Sequence, residues 1–278
     1  MEHIYLNLKR FDIPIQYGGV NSIADPKEWG SHIVRNTQEK LKAFIGTEFT
    51  MFFPEAHVIN AIQALSESSP INVGAQGVYR NDTAIGGNFG AFTTNRTANS
   101  MKALDCRSVM IGHCEERNDL NGILAEANVK DSGAVNRILN QEVSHAVEAG
   151  FSVLYCIGEK SEEQDDWEDV LREQLEVGLK DVDCSSIVIG YEPVWSIGPG
   201  KTPADKSYIT KVARFIKERT GGLDVVYGGG LKKENAAMLA SIEEIDGGLI
   251  ALTRFKGDIG FYPDEYIEII KTYLGEKR

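Results

Sequence analysis

Hydrophobic and polar positions alternate along the chain in two patterns. Short runs of consecutive apolar, β-branched and aromatic residues are separated by longer stretches in which apolar residues recur every three or four positions. The short runs predict strands, and because several are apolar on successive residues, they suit strands buried on both faces of a parallel sheet. The predicted strands are Ile4–Leu8, Phe49–Phe53, Ile71–Ala75, Ser108–Ile111, Phe151–Cys156, Ser186–Gly190, Asp224–Tyr227 and Gly248–Leu252.

The longer stretches predict amphipathic helices between the strands. The clearest begins at Asp25, with Pro26 at the first helical position and Glu28 three residues after the cap. Further helices are predicted over Glu55–Leu65, Asn99–Leu104, Ser132–Ala149, Glu162–Leu179, Pro203–Thr220, Lys232–Ala240 and Pro263–Leu274.

Strict alternation of eight strands with about as many helices favours a single (β/α)8 TIM barrel of the α/β class. A doubly wound open sheet is the alternative, because both folds are built from right-handed βαβ units and strand count does not separate them. No linker, low-complexity tract or shift in composition divides the chain. We therefore expect residues 1–278 to form one domain.

The amino-acid composition argues against one class of function, nucleic-acid binding. The 278 residues are 42% hydrophobic and include 29 basic and 41 acidic side chains, for a net charge of -12. This acidic balance argues against a nucleic-acid partner, since phosphate backbones require a basic face. An anionic ligand would have to bind in a local pocket.

We find no signal for secretion, membrane insertion or zinc binding. The first residues lack a basic start and an apolar core, and no apolar stretch approaches the roughly 18 residues of a membrane span. We therefore expect a cytoplasmic protein with no membrane partner. The four cysteines form no C-x-x-C pair and no Cys/His spacing typical of zinc sites, so we interpret them mostly as small buried residues.

Residues with catalytic chemistry stand at the carboxyl ends of the predicted strands, where parallel α/β folds have their active sites. Asn7 and Lys9 close the first strand, His113 follows the fourth, Glu192 the sixth, and the run Gly228–Gly230 the seventh. A closed barrel would direct all of them to one mouth.

His113 and Glu192 are the candidates for acid–base chemistry. A histidine in this position is about as often a structural hydrogen-bonding group as a catalyst, and a helical turn after it would keep the ring neutral. Glu192 is either a surface glutamate or, if Trp195 and Ile197 cover it, a carboxylate with a raised pKa that can act as a base.

A glycine-rich segment follows at Gly198-Pro199-Gly200-Lys201-Thr202. It does not match a nucleotide P-loop, because Trp195 stands where that pattern requires glycine and Pro199 lacks an amide proton. A lid with glycine hinges explains the segment better. The run Gly228–Gly230 either offers amides to an anion or is a tight turn.

Five motifs, in this order, resemble those of the triosephosphate isomerase family. They are Asn7-Leu8-Lys9, IGHCEER at 111–117, CIGEK at 156–160, YEPVWSIGPGKTP at 191–203 and YGGG at 227–230. The resemblance spans almost the whole chain, and YEPVW followed by IGxGKT is its most specific part.

The resemblance implies a cofactor-free aldose–ketose isomerase of a small phosphosugar. Glu192 would remove the proton next to the substrate carbonyl, and His113 would polarise that carbonyl and move protons between the two oxygens. Lys9, with Asn7, would supply positive potential for the enediolate. Neither a metal nor an organic cofactor is implied, because the reaction is proton transfer alone.

The resemblance also implies a lid and a set of supporting residues. Residues 193–203 would expel water from the enediolate, with the Gly198 amide reaching the phosphate and Lys201 as C-terminal hinge. Glu115, paired with Lys9, and Cys156 of the CIGEK motif are further supporting residues. The remaining substrate-binding positions are Gly229, Gly230, Ala251 and Leu252.

The family is also dimeric, through a loop after the third strand that inserts beside the partner's N-x-K residues. Here that loop is Gly86–Thr97, with Thr93 at its tip. We therefore expect a homodimer.

The chain departs from the family around the phosphate. Ala251-Leu252 replace two adjacent glycines whose amides bind phosphate, and Gly230 replaces a serine. Arg254 could compensate as a bidentate phosphate partner, or it could be an ordinary surface arginine.

The sequence is compatible with three functions. Dihydroxyacetone phosphate and glyceraldehyde 3-phosphate are the first substrate pair to test, and the altered phosphate site leaves a tetrose (erythrulose) phosphate isomerase as the alternative. A non-catalytic phosphosugar-binding barrel is the alternative from another class, although Lys9, His113 and Glu192 are all present.

Overall fold

The computed structural model describes residues 1–198 and 201–277, and in it eight parallel strands close into a barrel in chain order. The last strand pairs with the first, so the sheet has no free edge. The predicted barrel is confirmed and the open doubly wound sheet is wrong. The strands are β1 (Glu2–Asn7), β2 (Thr47–Phe53), β3 (Ile71–Ala75), β4 (Ser108–Ile111), β5 (Ser152–Ile157), β6 (Ile187–Tyr191), β7 (Val225–Tyr227) and β8 (Gly247–Ile250).

Helices follow the strands and cover the outside of the barrel. None of those in the described ranges is long and apolar enough to cross a bilayer. The α-helices of the described residues are α1 (Trp29–Leu41), α2 (Glu55–Gln63), α3 (Ala98–Ala103), α4 (Cys114–Glu126), α5 (Ala134–Glu148), α6 (Trp167–Gly178), α7 (Lys206–Thr220), α8 (Ala236–Ala240) and α9 (Pro263–Glu276).

Helices α6 and α8 begin four to five residues later than the predicted Glu162 and Lys232. The differences at α1 and α4 have local reasons. Helix α1 begins at Trp29 rather than Asp25, because the Asp25 carboxylate accepts a hydrogen bond from the Lys27 amide at 2.8 Å and holds a turn ahead of the helix. The pattern does not predict α4, since Arg117 is its one buried residue and the helix has no apolar stripe.

The core has two parts. Side chains facing into the barrel fill it with Tyr5, Phe52, Met110, Leu154, Cys156, Val226 and Leu249. A larger cluster lies between the strands and the helices, where Trp29 of α1 packs edge-on against Phe53 of β2 at 6.5 Å between ring centroids. Burial of each large apolar side chain contributes about 1.5–3 kcal/mol, so this packing fixes the strand ends that hold the site.

The amino-terminal end of the barrel carries a buried ion cluster. His3 of β1 lies between two carboxylates, with Nδ1 at 2.6 Å from Glu48 and Nε2 at 2.8 Å from Asp224. Because both ring nitrogens face carboxylate oxygens, the protonated ring can donate to each of them. Its pKa is raised, since the two carboxylates outweigh the opposing effect of burial.

Candidate active site

A cavity of about 350 Å³ opens at the carboxyl ends of the strands. It brings together ten residues singled out in the sequence, which are Asn7, Lys9, His113, Glu115, Glu192, Gly198, Gly229, Gly230, Ala251 and Leu252. The two other predicted residues, Cys156 and Lys201, do not line it.

The end of β1 holds Lys9 in a constrained backbone conformation. Lys9 has a φ of 40°, in the left-handed region that non-glycine residues rarely adopt. Its amide donates to Asn7 Oδ1 at 3.0 Å, and its carbonyl accepts from Gln76 Nε2 at 3.0 Å. The Lys9 ammonium donates to Glu115 Oε1 at 2.6 Å, so the pairing expected of Glu115 is present. Burial would raise the pKa of Glu115, but the hydrogen bond and charge of Lys9 outweigh it and lower that pKa.

His113 caps the amino terminus of α4, and this fixes its tautomer. Its Nδ1 accepts a hydrogen bond from the Glu115 amide at 3.2 Å, so the proton of a neutral ring is on Nε2. Nε2 lies 3.2 Å from Glu192 Oε1, which is an ion-pair distance. Nε2 is therefore the ring nitrogen that faces Glu192 in the cavity.

Glu192 follows β6 and is buried, with 2% of its surface exposed. Its second oxygen, Oε2, accepts from the Cys114 amide at 2.9 Å. Burial raises the pKa of Glu192, against the opposing effects of His113, the Cys114 amide and Lys9. Gly228 makes room for it: a Cβ there would lie 2.6 Å from Glu192 Cγ. The environment is that of a carboxylate prepared to accept a proton.

The segment after Glu192 is anchored outside the cavity. The Trp195 indole donates to Glu159 Oε1 at 2.7 Å, and the hydroxyls of Tyr191 and Tyr208 donate to the same oxygen at 3.0 Å. The expectation that Trp195 covers Glu192 is therefore wrong, whereas Ile197 does line the cavity. Pro199 and Gly200, in the middle of the predicted lid, lie outside the described residues.

The two predicted residues that do not line the cavity, Lys201 and Cys156, have simple surroundings. Lys201 is exposed, and its amide donates to the Gly198 carbonyl at 3.4 Å. Cys156 is buried inside the barrel and supports the site only through its carbonyl, which accepts from the Arg117 guanidinium at 2.9 Å.

The opposite wall consists of backbone from the ends of β7 and β8. Within the described residues, the amides of Gly229, Gly230, Ala251 and Leu252 donate to no protein group. Gly230 has a φ of 93°, a conformation in which successive amides form a concave anion-binding surface.

Arg254 is not part of this wall. Its guanidinium donates to Glu265 Oε1 at 2.5 Å and stacks on Tyr262 at 4.0 Å from the ring centroid. The hypothesis that Arg254 binds phosphate is therefore corrected, because its charge is already paired with Glu265.

The site also contains groups that the sequence did not point to. Lys232, Leu231, Phe11 and Phe255 line the cavity, and the Cys114 amide orients Glu192. Lys232 stands two residues after Gly230, so its place at a strand end was an available signal.

One cluster in the described chain could hold a metal ion. Ligand atoms of His113, Cys114 and Glu192 lie within 4.8 Å of one another. His113 and Glu192 already contact each other there, and the expectation of a metal-free reaction stays a prediction.

A closed (β/α)8 barrel with a buried glutamate, a histidine and a lysine in one mouth is the arrangement of a barrel enzyme of acid–base chemistry. The family model described as triosephosphate isomerase matches residues 25–272. The chain therefore belongs to the triosephosphate isomerase family, a family of isomerases that act as intramolecular oxidoreductases.

Relatives agree with this assignment. The triosephosphate isomerase of Pelodictyon phaeoclathratiforme is 31% identical over 264 residues, covering 90% of this chain and 93% of the relative. That of Leptospira interrogans is 30% identical over 234 residues, covering 78% and 86%. The crystal structure of triosephosphate isomerase from Bartonella henselae has the same fold, with a TM-score of 0.73, 23% identity and coverage of 98% of this chain and 99% of that one.

Proposed function

We propose that the protein is a cofactor-free aldose–ketose isomerase of a small phosphosugar, with dihydroxyacetone phosphate and glyceraldehyde 3-phosphate as its substrate pair. The observation that carries the proposal is the contact of a buried carboxylate, Glu192, with His113 Nε2 at 3.2 Å in one cavity that Lys9 also lines.

The reaction consists of two pairs of proton transfers, one pair at carbon and one pair at oxygen. Glu192 takes the proton from the carbon next to the carbonyl, and the electron pair of that C–H bond moves toward the carbonyl oxygen to give an enediolate. His113 donates its Nε2 proton to that oxygen and takes a proton from the neighbouring hydroxyl. Glu192 then returns a proton to the former carbonyl carbon, which completes the exchange of aldose and ketose.

Charge stabilisation comes from Lys9. Its ammonium lines the same cavity and is held by Glu115, so it supplies positive potential where the oxyanion develops. To reach a substrate carbon, the Glu192 carboxylate exchanges its hydrogen bond with the Cys114 amide and its contact with His113 for contact with the sugar.

The unpartnered amides of Gly229, Gly230, Ala251 and Leu252 are suited to the phosphate. Residues 193–203 act as the lid, with the Gly198 amide reaching the phosphate and Lys201 as hinge, and exclude water from the enediolate.

A tetrose phosphate, such as erythrulose phosphate, is the alternative substrate. The side chains of Ala251 and Leu252 occupy the wall where the family resemblance implies glycines, so the phosphate and the carbon chain are placed differently. A triose substrate would put the reaction in glycolysis and gluconeogenesis, in the cytoplasm.

We further propose a homodimer. A second cavity, of about 490 Å³, lies beside the N-x-K residues and is lined by Asn7, Lys9 and Phe11 among others. The loop after β3 carries two exposed apolar side chains, Ile85 and Phe89, which suit insertion into such a cavity on a second copy.

Coupled assays on triose and tetrose phosphates test the proposal. We expect turnover of a triose phosphate that is lost in Glu192→Gln. Turnover of the tetrose alone would select the alternative substrate. If neither sugar is converted but both stabilise the protein against heat, the chain is a phosphosugar-binding barrel.

A further inference from the structure

We propose that Lys232 is a phosphate-binding residue of this site and supplies the positive charge that its backbone amides lack. The inference rests on the proposed function, since it concerns the phosphate of that substrate. Neither the sequence motifs nor the family resemblance assigns a role to Lys232.

The position of Lys232 carries the first part of the argument. Its side chain lies across Gly230: a Cβ built on Gly230 would be 3.3 Å from Lys232 Cε. Lys232 is half-buried and lines the same cavity as Lys9, His113 and Glu192. The end of its stem therefore lies beside Gly230, whose amide donates to no protein group within the described residues.

The charge of Lys232 is uncompensated. Lys9 is paired with Glu115, and Arg254, near the cavity mouth, is paired with Glu265. In the described ranges, Lys232 Nζ has no carboxylate within salt-bridge distance. Its neighbour is the face of Phe255, at 4.2 Å from the ring centroid. An aromatic face positions an ammonium without neutralising it, so the charge stays available to an anion.

A phosphate dianion needs such a charge here. The protein has a net charge of -12, and Glu115 and Glu192 both line the cavity. Amides contribute only partial charges, and Lys9 is already bonded to Glu115. A lysine also suits a wall shaped by Leu252, because its flexible stem can follow a phosphate that this side chain displaces.

The neighbouring residue provides a matched control. Lys232→Met removes the ammonium and keeps most of the stem, whereas Lys233→Met makes the same change of charge at an exposed position that does not line the cavity. Lys232→Arg keeps the charge, and Phe255→Leu removes the ring that holds the ammonium.

Two readouts are measured for each variant: binding of inorganic phosphate, by equilibrium dialysis and thermal shift, and kcat and KM for the phosphosugar. We expect Lys232→Met to weaken phosphate binding and to raise KM by about tenfold or more each, because a charge-assisted contact is lost. Lys232→Arg should recover most of both, Phe255→Leu should show a smaller loss, and Lys233→Met should stay within about twofold of wild type.

The outcomes separate this inference from the proposed function. If Lys232→Met binds phosphate and phosphosugar as wild type does, Lys232 is not a phosphate residue, even though the isomerase stands. If wild type converts no sugar yet binds phosphate in a Lys232-dependent way, the proposed reaction is wrong and the anion site is supported. If Lys232→Met does not fold, phosphate binding by Lys232→Arg and Phe255→Leu decides the question. Phosphate binding at the wild-type level in Phe255→Leu, together with weakened phosphate binding in Lys232→Arg, overturns the inference.

Discussion

Glu192 combines burial with three polar neighbours, and each affects its chemistry. Burial raises its pKa, while His113, the Cys114 amide and Lys9 limit that rise. The result is a carboxyl group that is a better proton acceptor than an exposed glutamate and still ionises. The same burial makes the folded protein less stable when Glu192 is charged. Because the pKa of this carboxyl is higher in the folded than in the unfolded protein, the free energy of unfolding decreases as pH rises through the folded pKa.

Glu192→Gln therefore has two expected effects. Turnover of the phosphosugar falls by at least about 100-fold, the scale of a lost general base. The melting temperature at neutral pH rises, since the buried charge is removed. Steady-state kinetics and calorimetry measure the two effects. In wild type, kcat/KM decreases on the acid side through a pKa above the ordinary glutamate value of 4.5.

Unchanged turnover in Glu192→Gln would contradict its role as the base. An acid limb at or below the ordinary glutamate pKa would contradict the effect of burial.

At the level of single residues, sequence was informative where a motif fixed both identity and spacing. Glu192, His113 and Lys9 were identified this way and do line one cavity. The sequence did not distinguish the roles of Arg254 and Lys232. Arg254 is paired with Glu265 and Lys232 lies over Phe255, and sequence spacing does not reveal these contacts.

At the level of elements, the turn after β7 supports the end of β6. The Gly228 amide donates to the Tyr191 carbonyl at 2.6 Å, and its α-carbon faces Glu192 Cγ with no room for a side chain. The two strand ends therefore act as one unit that sets the position of the carboxylate.

Gly228→Ala is expected to displace Glu192. The added methyl group would overlap both Glu192 Cγ and the Tyr191 carbonyl, so we expect a fall in kcat of about 10- to 100-fold and a stability loss of about 1–3 kcal/mol. Gly122→Ala in α4 is the control, because a Cβ there meets nothing within 4 Å. Kinetics and urea unfolding of both variants test this, and wild-type kcat in Gly228→Ala would refute the packing constraint.

Strands were easier to predict than helices for a physical reason. The barrel strands are buried on both sides, so each leaves a continuous apolar run. Helix α4 fully buries only Arg117, with Leu120 and Leu124 partly buried, and its first two amides donate to Glu192 and His113. A helix held by capping at the site, rather than by an apolar stripe, leaves little hydrophobic pattern to detect.

At the level of the whole molecule, two exposed apolar residues suggest association. Ile85 and Phe89 lie in the loop after β3, and Phe89 is 90% exposed. We expect wild type to be a dimer and Phe89→Ser to weaken it by about tenfold or more. Ile45→Ser is the control, since Ile45 is as exposed but lies between α1 and β2. Sedimentation analysis distinguishes these cases, and a monomeric wild type at micromolar concentration would rule out the dimer.

The His3 cluster makes the stability of the barrel depend on pH. The pKa of His3 is raised, so its contribution is complete below the ordinary value of 6.5 and is lost as pH rises through the folded value. The pKa of Glu48 is lowered, so its contribution is complete above the ordinary value of 4.5 and is lost as pH falls through the folded value.

His3→Gln is expected to lower the free energy of unfolding by about 2 kcal/mol near pH 6, the scale of hydrogen bonds to charged groups. The difference should shrink as pH rises through the raised pKa of His3, because the ring of wild type then loses its proton. Urea unfolding across this pH range tests it. His145→Gln, at a partly exposed helical position, should show little change, and a difference in His3→Gln that grows with pH would contradict the charged state assigned to His3.

The central claim is that Glu192 moves a proton between two carbons of a phosphosugar. Its most direct test is isomerisation of dihydroxyacetone phosphate in D₂O, followed by NMR. We expect wild type to form product with deuterium at the carbon that receives the proton from Glu192, and we expect no product with Glu192→Gln. Conversion by wild type without any deuterium in the product, or equal conversion by the variant, would contradict it.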